Sequence, residues 1–400
     1  MPLQSYEMKD SGVEWIGEMP IHWTVKRGKN VLKLLSRPVK FSDEIITCFR
    51  DGEVTLRKKR REEGFTNSLL EIGYQGIEPG DLVVHGMDGF AGAIGISDSR
   101  GKATPVLNVL DSKENKQYLM YYLRSLALRD VFMALSTGIR VRSCDLRWNK
   151  LSELPYILPP ISEQEAIAAY LDEKCAAIDG IIGEAKATID EYKSWKASVI
   201  FEAVTKGLNP NTEMKDSGVE WIGKIPKQWF IKTAKNCVDI HHGCDPVLEG
   251  DIPVYGSGAE SFKTCGEFKE GPAVLVGRKG ATLHIPHYIT GKFWNVDTAF
   301  DVKAHSDFSL KYYYYLANCF DYKYYISQTT LPGMTQTSYR NMPIPVPPLS
   351  EQQSIASYLD EKCAAIDGVI AEKETLIGEL ESYRKSLIFE TVTGKRRVAV

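Results

Sequence analysis

Two stretches of the chain place apolar residues at alternating spacings of three and four. In residues 159–205 these are Ile167, Leu171, Ile178, Ile181, Ala185, Ile189, Tyr192, Trp195 and Val199. In residues 347–393 they are Ile355, Leu359, Ile366, Val369, Leu380, Tyr383 and Leu387. The spacing draws one narrow seam near the coiled-coil period of 3.5 residues, and it predicts one long helix per stretch. Such a helix spans roughly 65 Å at 1.5 Å per residue. That exceeds a small domain, so the natural partner of each helix is the other; an ordinary amphipathic helix on a globular core is the competing reading. A double proline precedes each stretch and blocks helix upstream. Ser162 with Glu165, and Ser350 with Gln353, have the spacing of a capping box. Gly207 and Gly394 stand where a left-handed C-terminal cap is expected.

The two stretches are copies of one another. Tyr170–Gly180 is identical to Tyr358–Gly368, at an offset of 188. A second repeat, MKDSGVEWIG, occupies residues 8–17 and 214–223, at an offset of 206. Each half therefore runs short motif, spacer, long helix, and the first spacer is longer by 206 − 188 = 18 residues. Two copies are too few for a solenoid and fit a pseudo-two-fold molecule. The expected domains are residues 1–158 (with its motif at 8–27), the helix 159–208, residues 209–346 (motif 214–233) and the helix 347–396. Each spacer reads as a small α/β domain. Residues 44–54 and 80–96 read as short strands with glycine turns, and 116–135 as an amphipathic helix. Residues 271–285 read as strand, glycine turn, strand, and 309–327 as helix, with Gly86 falling opposite Gly277.

Composition narrows the class. The 400 residues are 43% hydrophobic, enough for packed cores, and contain no apolar run able to cross a membrane. The polar N-terminus has no signal-peptide pattern. The eight cysteines form no CxxC pair, which points to reduced thiols and a cytoplasmic setting. The net charge of −3 is unevenly spread. Residues 161–208 carry 5 basic and 9 acidic side chains and residues 349–396 carry 6 and 9, whereas residues 28–153 carry 20 and 16 and residues 234–341 carry 10 and 11. The acidity sits in the helices, so a polyanion would meet the spacers.

No catalytic motif is present. There is no phosphate loop, since residues 277–282 have the wrong spacing; no GxGxxG; and no HExxH. His241, His242 and Cys244 lie close together without a second cluster to complete a metal site. The positive signals are basic and polar side chains in the spacers. Arg57, Lys58, Lys59, Arg60 and Arg61 form a run, and Arg140, Arg142, Arg147 and Lys150 cluster near the end of the first spacer. The second spacer offers Arg278 and Lys279 in a glycine turn, then Thr335, Gln336, Thr337, Ser338, Tyr339 and Arg340. Lysine and arginine neutralise phosphates, while Arg, Gln, Ser and Thr read base edges. Against this, Glu62 and Glu63 follow the basic run as in a solvated loop, and the 335–338 turn reads equally as a polar loop. Tyr312–Tyr315 with Tyr322, Tyr324 and Tyr325 offer stacking platforms, or more simply a helix core.

The doubled KDSGVEWIGxxPxxW motif, the doubled PPxSEQ…YLDEKCAAIDG helix start and the two divergent spacers resemble the specificity (S) subunits of type I restriction–modification enzymes, over essentially the whole chain. The resemblance implies an α/β (α+β) fold: two target recognition domains joined by two long antiparallel coiled-coil helices. Each domain would read one half of a bipartite, asymmetric site in double-stranded DNA. The helices would fix the gap and help dock two modification (methyltransferase) subunits. The chain would do no chemistry and hold no cofactor. S-adenosylmethionine would belong to the modification subunits, and ATP with magnesium to the restriction (translocase and nuclease) subunits. No membrane partner is implied. The alternative is a helical scaffold that joins partner proteins without reading DNA. Antiparallel helices would also keep Cys175 and Cys363 too far apart to bond, since a disulfide needs Cα atoms within about 7 Å.

Overall fold

The computed structural model describes residues 7–60, 71–134, 146–258, 260–326 and 332–399. The chain divides into two units, Met1–Glu184 with Thr375–Val400, and Ala185–Glu374. The long helices Ile161–Lys206 and Leu349–Val392 each contribute one portion to either unit. No helix among the described residues is long and apolar enough to cross a membrane.

The first unit is built on an antiparallel sheet in the order Leu32–Leu34, Leu107–Ser112, Leu82–His85, Ile94–Ile96. In its central strands the consecutive residues Leu82–Val84 and Leu107–Leu110 are all buried, because both faces are covered. Helix Lys116–Leu128 packs against this sheet, and its N-terminus is capped by the Asn115 side chain, which accepts from Tyr118 N–H at 2.9 Å. Two smaller strand pairs, Ile46–Cys48 with Val54–Leu56 and Gln75–Ile77 with Gly101–Ala103, build a satellite core. The strand Pro155–Leu158 pairs with Thr24–Arg27 and leads into the first long helix.

The second unit repeats this order: Val238–His242, Ala299–Ala304, Ala273–Gly277, His287–Ile289. It adds a four-stranded sheet from residues 252–295. The helix expected over 309–327 is two pieces, Leu310–Ala317 and Tyr322–Tyr325, separated at Asn318–Asp321. Register corrects the alignment of the spacers. Gly86 N–H donates to Val106 O and Leu146 N–H to Gly86 O; Arg278 N–H donates to Thr298 O and Met334 N–H to Arg278 O. The counterpart of Gly86 is therefore Arg278, not Gly277.

Identical side chains hold the frame of both units. Trp23 Nε1 donates to Glu163 Oε2 at 3.0 Å, and Trp229 Nε1 to Glu351 Oε2 at 2.9 Å. Gln164 donates to Pro159 O and accepts from Asn115 N–H, each at 2.9 Å. Gln352 donates to Pro347 O at 2.9 Å and accepts from Ser309 N–H at 2.8 Å. Tyr121 OH donates to Asp172 Oδ1 at 2.7 Å, and Tyr315 OH to Asp360 Oδ1 at 2.6 Å. The Tyr118 hydroxyl is shared between Ile157 O (2.8 Å) and Val392 O (3.1 Å), and the Tyr312 hydroxyl between Val204 O (2.9 Å) and Pro345 O (3.1 Å).

The helices begin two residues earlier than a capping box requires. Gln164 N–H already donates to Pro160 O, and Gln352 N–H to Pro348 O, at 3.0 Å each. Ser162 and Ser350 thus lie inside the first turn, and the neighbouring Gln and Glu do the tying instead. At the far ends Gly207 and Gly394 both take φ of +75°, the left-handed geometry a Cβ disfavours.

The seam also shifts by one position. Ile167, Leu171, Ile178 and Ile189 are buried, as are Ile355, Leu359, Ile366 and Leu387. After Ile178 the seam passes to Ile182, leaving Ile181 47% exposed; after Ile366 it passes to Ile370, leaving Val369 half-buried. The reason is the heptad: 171, 178, 185 and 175, 182, 189 are the two seven-residue series, and Cys175 carries the second. Tyr192 and Leu380 are half-buried, and Trp195 and Tyr383 stand outside at 52% and 48% exposure. Seam positions 196 and 384 hold cations. Arg384 pairs with Asp179 in the first unit, and Lys196 with Asp367 at 2.6 Å in the second. Residue numbers rise along one helix as they fall along the other, so the pairing is antiparallel. Cys175 and Cys363 are both free thiols.

Candidate nucleic-acid interface

In the first unit the basic run begins where the strand Val54–Leu56 ends. Burial inside the hairpin lowers the pKa of Arg57, and its Nε donates to Thr47 Oγ1 at 3.2 Å. Lys58 pairs with Glu44 at 2.6 Å, and Lys59 with Asp98 at 3.0 Å and Ser99 at 2.8 Å. Arg60 lies over the Phe49 ring at 4.2 Å and binds Asp51 and Glu53 through both terminal nitrogens. Lys58, Lys59 and Arg60 are thus ion-paired within the unit rather than forming a bare patch. Arg61, Arg140 and Arg142 lie outside the described residues. Arg147 and Lys150 are exposed on the short helical turn at Trp148–Leu151. The turn sits beside the strand end: a Cβ on Gly86 would meet Arg147 Cγ at 3.7 Å.

The hairpin turn Phe49–Glu53 carries a residue the sequence reading passed over. Arg50 Nη2 donates to Asp88 Oδ1 at 2.9 Å. Asp88 and Met87 donate their backbone N–H groups to His85 Nδ1, at 2.9 and 3.2 Å. That fixes the imidazole as the neutral tautomer protonated on Nε2, and burial, opposed by Asp88, lowers the His85 pKa in the same sense. A cleft of about 680 Å³ lies between the turn and the strand ends, lined by Arg50, Arg57, Arg60, His85, Asp51 and Asp88 among others. Its one thiol, Cys48, is pushed up to about 12 by burial and is not a nucleophile. The one signal in the sequence was the Arg-Asp-Gly turn between two short strands.

In the second unit Arg278 reaches Asp297 through its carbonyl (3.1 Å) and its carboxylate (3.3 Å). Lys279 is exposed beside it. The 335–338 turn is the start of a short helix, Gln336–Asn341, with Thr335 as its cap. Thr335 Oγ1 accepts from Ser338 N–H at 3.0 Å and meets Ser338 Oγ at 2.8 Å. Gln336 donates to Ile240 O at 2.6 Å. Tyr339 is fully buried and donates to Gly277 O at 2.8 Å, so it cannot touch a base. Thr337 and Arg340 are exposed. Tyr312, Tyr313, Tyr315 and Tyr322 are core, whereas Tyr324 is 80% exposed. Among the described residues no group of His, Cys, Asp and Glu is arranged to hold a metal ion. His241 instead faces Asp301 at 3.5 Å.

Both basic edges thus lie at the same end of equivalent sheets, where the third strand of each order given above ends and the second begins. One difference stands out. The first unit has Gly86 in the turn and Arg147 at the helix cap; the second has Arg278 in the turn and Thr335 at the cap.

Residues 246–376 match the family model of the type I restriction modification DNA specificity domain. The chain is 24% identical to a putative type I restriction enzyme MjaX specificity subunit of Methanocaldococcus jannaschii, over 99% of either chain. It is 23% identical to the MjaVIII specificity subunit of the same organism, over 75% of either chain. Its fold matches a chain from a solved type I R-M system complex (TM-score 0.73, 14% identity, 94% of this chain and 99% of that one). It also matches the HsdS subunit from Thermoanaerobacter tengcongensis (TM-score 0.52, 14% identity, 94% and 98%).

Proposed function

Given that the chain is a type I restriction–modification specificity subunit, we propose that its two units each read one half of a bipartite, asymmetric DNA site. The observation that carries this is one frame used twice with two different basic edges. The same Trp–Glu, Gln–Pro and Tyr–Asp contacts recur in each unit, while the side chains at the sheet end differ. Different edges require different half-sites, so the target is not a palindrome.

In the first unit Arg57, Arg147 and Lys150 meet the duplex, together with Arg61, Arg140 and Arg142 of the segments outside the description. In the second unit Arg278, Lys279, Thr337 and Arg340 do so. The two long helices, acidic on balance, face protein rather than phosphate, set the gap between half-sites and dock two modification subunits. The domains run as residues 1–158 and 209–346, with the helices between and after them. The chain itself carries out no chemistry and binds no cofactor. Methyl transfer from S-adenosylmethionine to adenine belongs to the modification subunits, and ATP- and magnesium-dependent translocation and cleavage to the restriction subunits. The complex works in the cytoplasm. A scaffold without base reading is disfavoured by the DNA specificity domain matched over residues 246–376.

The test is the methylome of cells that express this chain with its modification subunit. A split, asymmetric motif with methylated adenine is expected. An intact complex with an active modification subunit that methylates no defined motif overturns the reading.

A further inference from the structure

We propose that the turn Phe49–Glu53 and the cleft behind it form a G·C-reading site of the first unit, in which Arg50 contacts guanine and Asp88 contacts its paired cytosine. The proposal rests on the chain being a DNA specificity subunit and names the base pair that one of its clefts accepts.

The argument begins with charge. Three guanidinium groups, those of Arg50, Arg57 and Arg60, and two carboxylates, those of Asp51 and Asp88, line the cleft. Asp88 pairs with Arg50, and Asp51 together with the neighbouring Glu53 pairs with Arg60, so the guanidinium groups of Arg50 and Arg60 are neutralised. A surface that gains affinity from phosphates needs net positive charge to release counterions. A neutralised guanidinium gives up that attraction but keeps its directional N–H groups. Such a site discriminates more than it adheres.

The second argument is rigidity. Phe49 N–H donates to Glu53 O at 2.8 Å and Gly52 N–H to Phe49 O at 2.9 Å, closing the turn. Glu53 N–H donates to Asp51 Oδ1 at 3.1 Å. Arg124 donates to Asp51 O at 2.6 Å from below. Gly52 (φ +93°) and Gly92 (φ +95°) are needed there, since a Cβ on either would lie within 2.5 Å of Arg124 Nη1 or 2.7 Å of Arg50 O. His85 ties the turn that carries Asp88. Both members of the Arg50–Asp88 pair are therefore held before DNA arrives, and less is lost in ordering them.

The third argument is the base code. In the major groove guanine offers two acceptors, O6 and N7, that fit the arginine fork, and cytosine offers the N4 amino donor that a carboxylate accepts. An Arg–Asp pair presents that complement. Adenine is read by the amide of Asn or Gln, and neither lines the cleft among the described residues. Half the Arg50 side chain or more faces solvent, at 64% exposure, so the fork is accessible.

The experiment compares methylomes of the wild-type chain with Arg50→Ala, Arg50→Lys and Asp88→Asn, each with the modification subunit. The first unit's half-site is the one that changes when residues 28–153 are exchanged for another spacer. That half-site should contain a G·C pair at which Arg50→Ala relaxes the motif, with discrimination falling roughly five- to a hundredfold. The half-site read by the second unit stays unchanged and reports that the chain is folded. In binding assays, 7-deazaguanine at that pair should weaken the wild-type complex by a similar factor and the Arg50→Ala complex not at all. The proposal is overturned if Arg50→Ala leaves the motif intact, or lowers methylation equally at all sites with a shallower salt dependence, as a phosphate contact would. If Arg50→Ala abolishes all methylation, Arg50→Lys decides, because it keeps the charge and loses the fork. A relaxed motif then supports the proposal and an unchanged one sinks it. A wild-type complex with no bipartite motif would instead remove the reading on which the proposal rests.

Discussion

The indole nitrogen of Trp23 rests on the Glu163 carboxylate at 3.0 Å, and Trp229 rests on Glu351 in the same way at 2.9 Å. Each tryptophan is fully buried, at 1% and 0% exposure, so its N–H is shielded from solvent. Glu163→Leu should cost about 1–3 kcal/mol by stranding a buried donor, and Glu351→Leu a similar amount. Glu163→Gln, which keeps an acceptor, should cost less. Urea denaturation of the four proteins measures this. A Glu163→Leu variant as stable as wild type would show that water reaches the indole.

The long helices change unit at Glu184–Ala185 and at Glu374–Thr375. Seven extra residues at both places preserve the heptad seam and lengthen each helix by roughly 10 Å at 1.5 Å per residue. At 3.4 Å per base pair the gap in the methylated motif should grow by about three base pairs with both half-sites unchanged. Altered half-sites with an unaltered gap would rule out the helices as the spacing element.

His85 ties the first unit to pH. Burial lowers its folded pKa below the ordinary 6.5. The unfolded chain then takes up a proton first as pH falls, so stability is complete above about 6.5 and declines below it. Protonation would also put a proton on Nδ1, which now accepts from Met87 and Asp88 N–H. Stability followed from pH 7.5 to 5 should fall more steeply for wild type than for His85→Gln. Parallel curves would show that the imidazole titrates as it does in the open chain.

Gly52 should not tolerate a side chain. It combines φ of +93° with an approach of 2.5 Å between an added Cβ and Arg124 Nη1. Gly52→Ala should cost on the order of 1–3 kcal/mol locally and blur the first half-site in the methylome, leaving the second sharp. Gly12, also at positive φ but with nothing near its Cβ, is the control for backbone strain alone.

The duplication, the long helices and the glycine caps are written locally, in runs of residues that carry their own periodicity, and these parts were legible. The seam slipped to Ile182 because Cys175, a small apolar residue, completes a heptad series that a search for Ile and Leu skips. The basic run 57–60 looked like a phosphate surface because its acids, Glu44, Asp51, Glu53 and Asp98, come from elsewhere in the chain. Tyr339 read as a surface residue among polar neighbours, yet a helical turn sends it inward to Gly277 O. Arg50 was missed for the converse reason: its importance lies in Asp88, 38 residues away.

One feature of the frame bears on stoichiometry. Tyr118, carried by the first spacer, shares its hydroxyl with the end of the second long helix at Val392 O, while Tyr312, carried by the second spacer, does so with the end of the first at Val204 O. Each half of the chain thus owns a hydroxyl whose carbonyl belongs to the other half. A fragment stopping near residue 208 would keep Tyr118 without Val392 and Val204 without Tyr312, two vacancies that a second identical fragment fills at once. Mass action would make such a fragment a homodimer, with two equal edges and an inverted-repeat target in place of an asymmetric one.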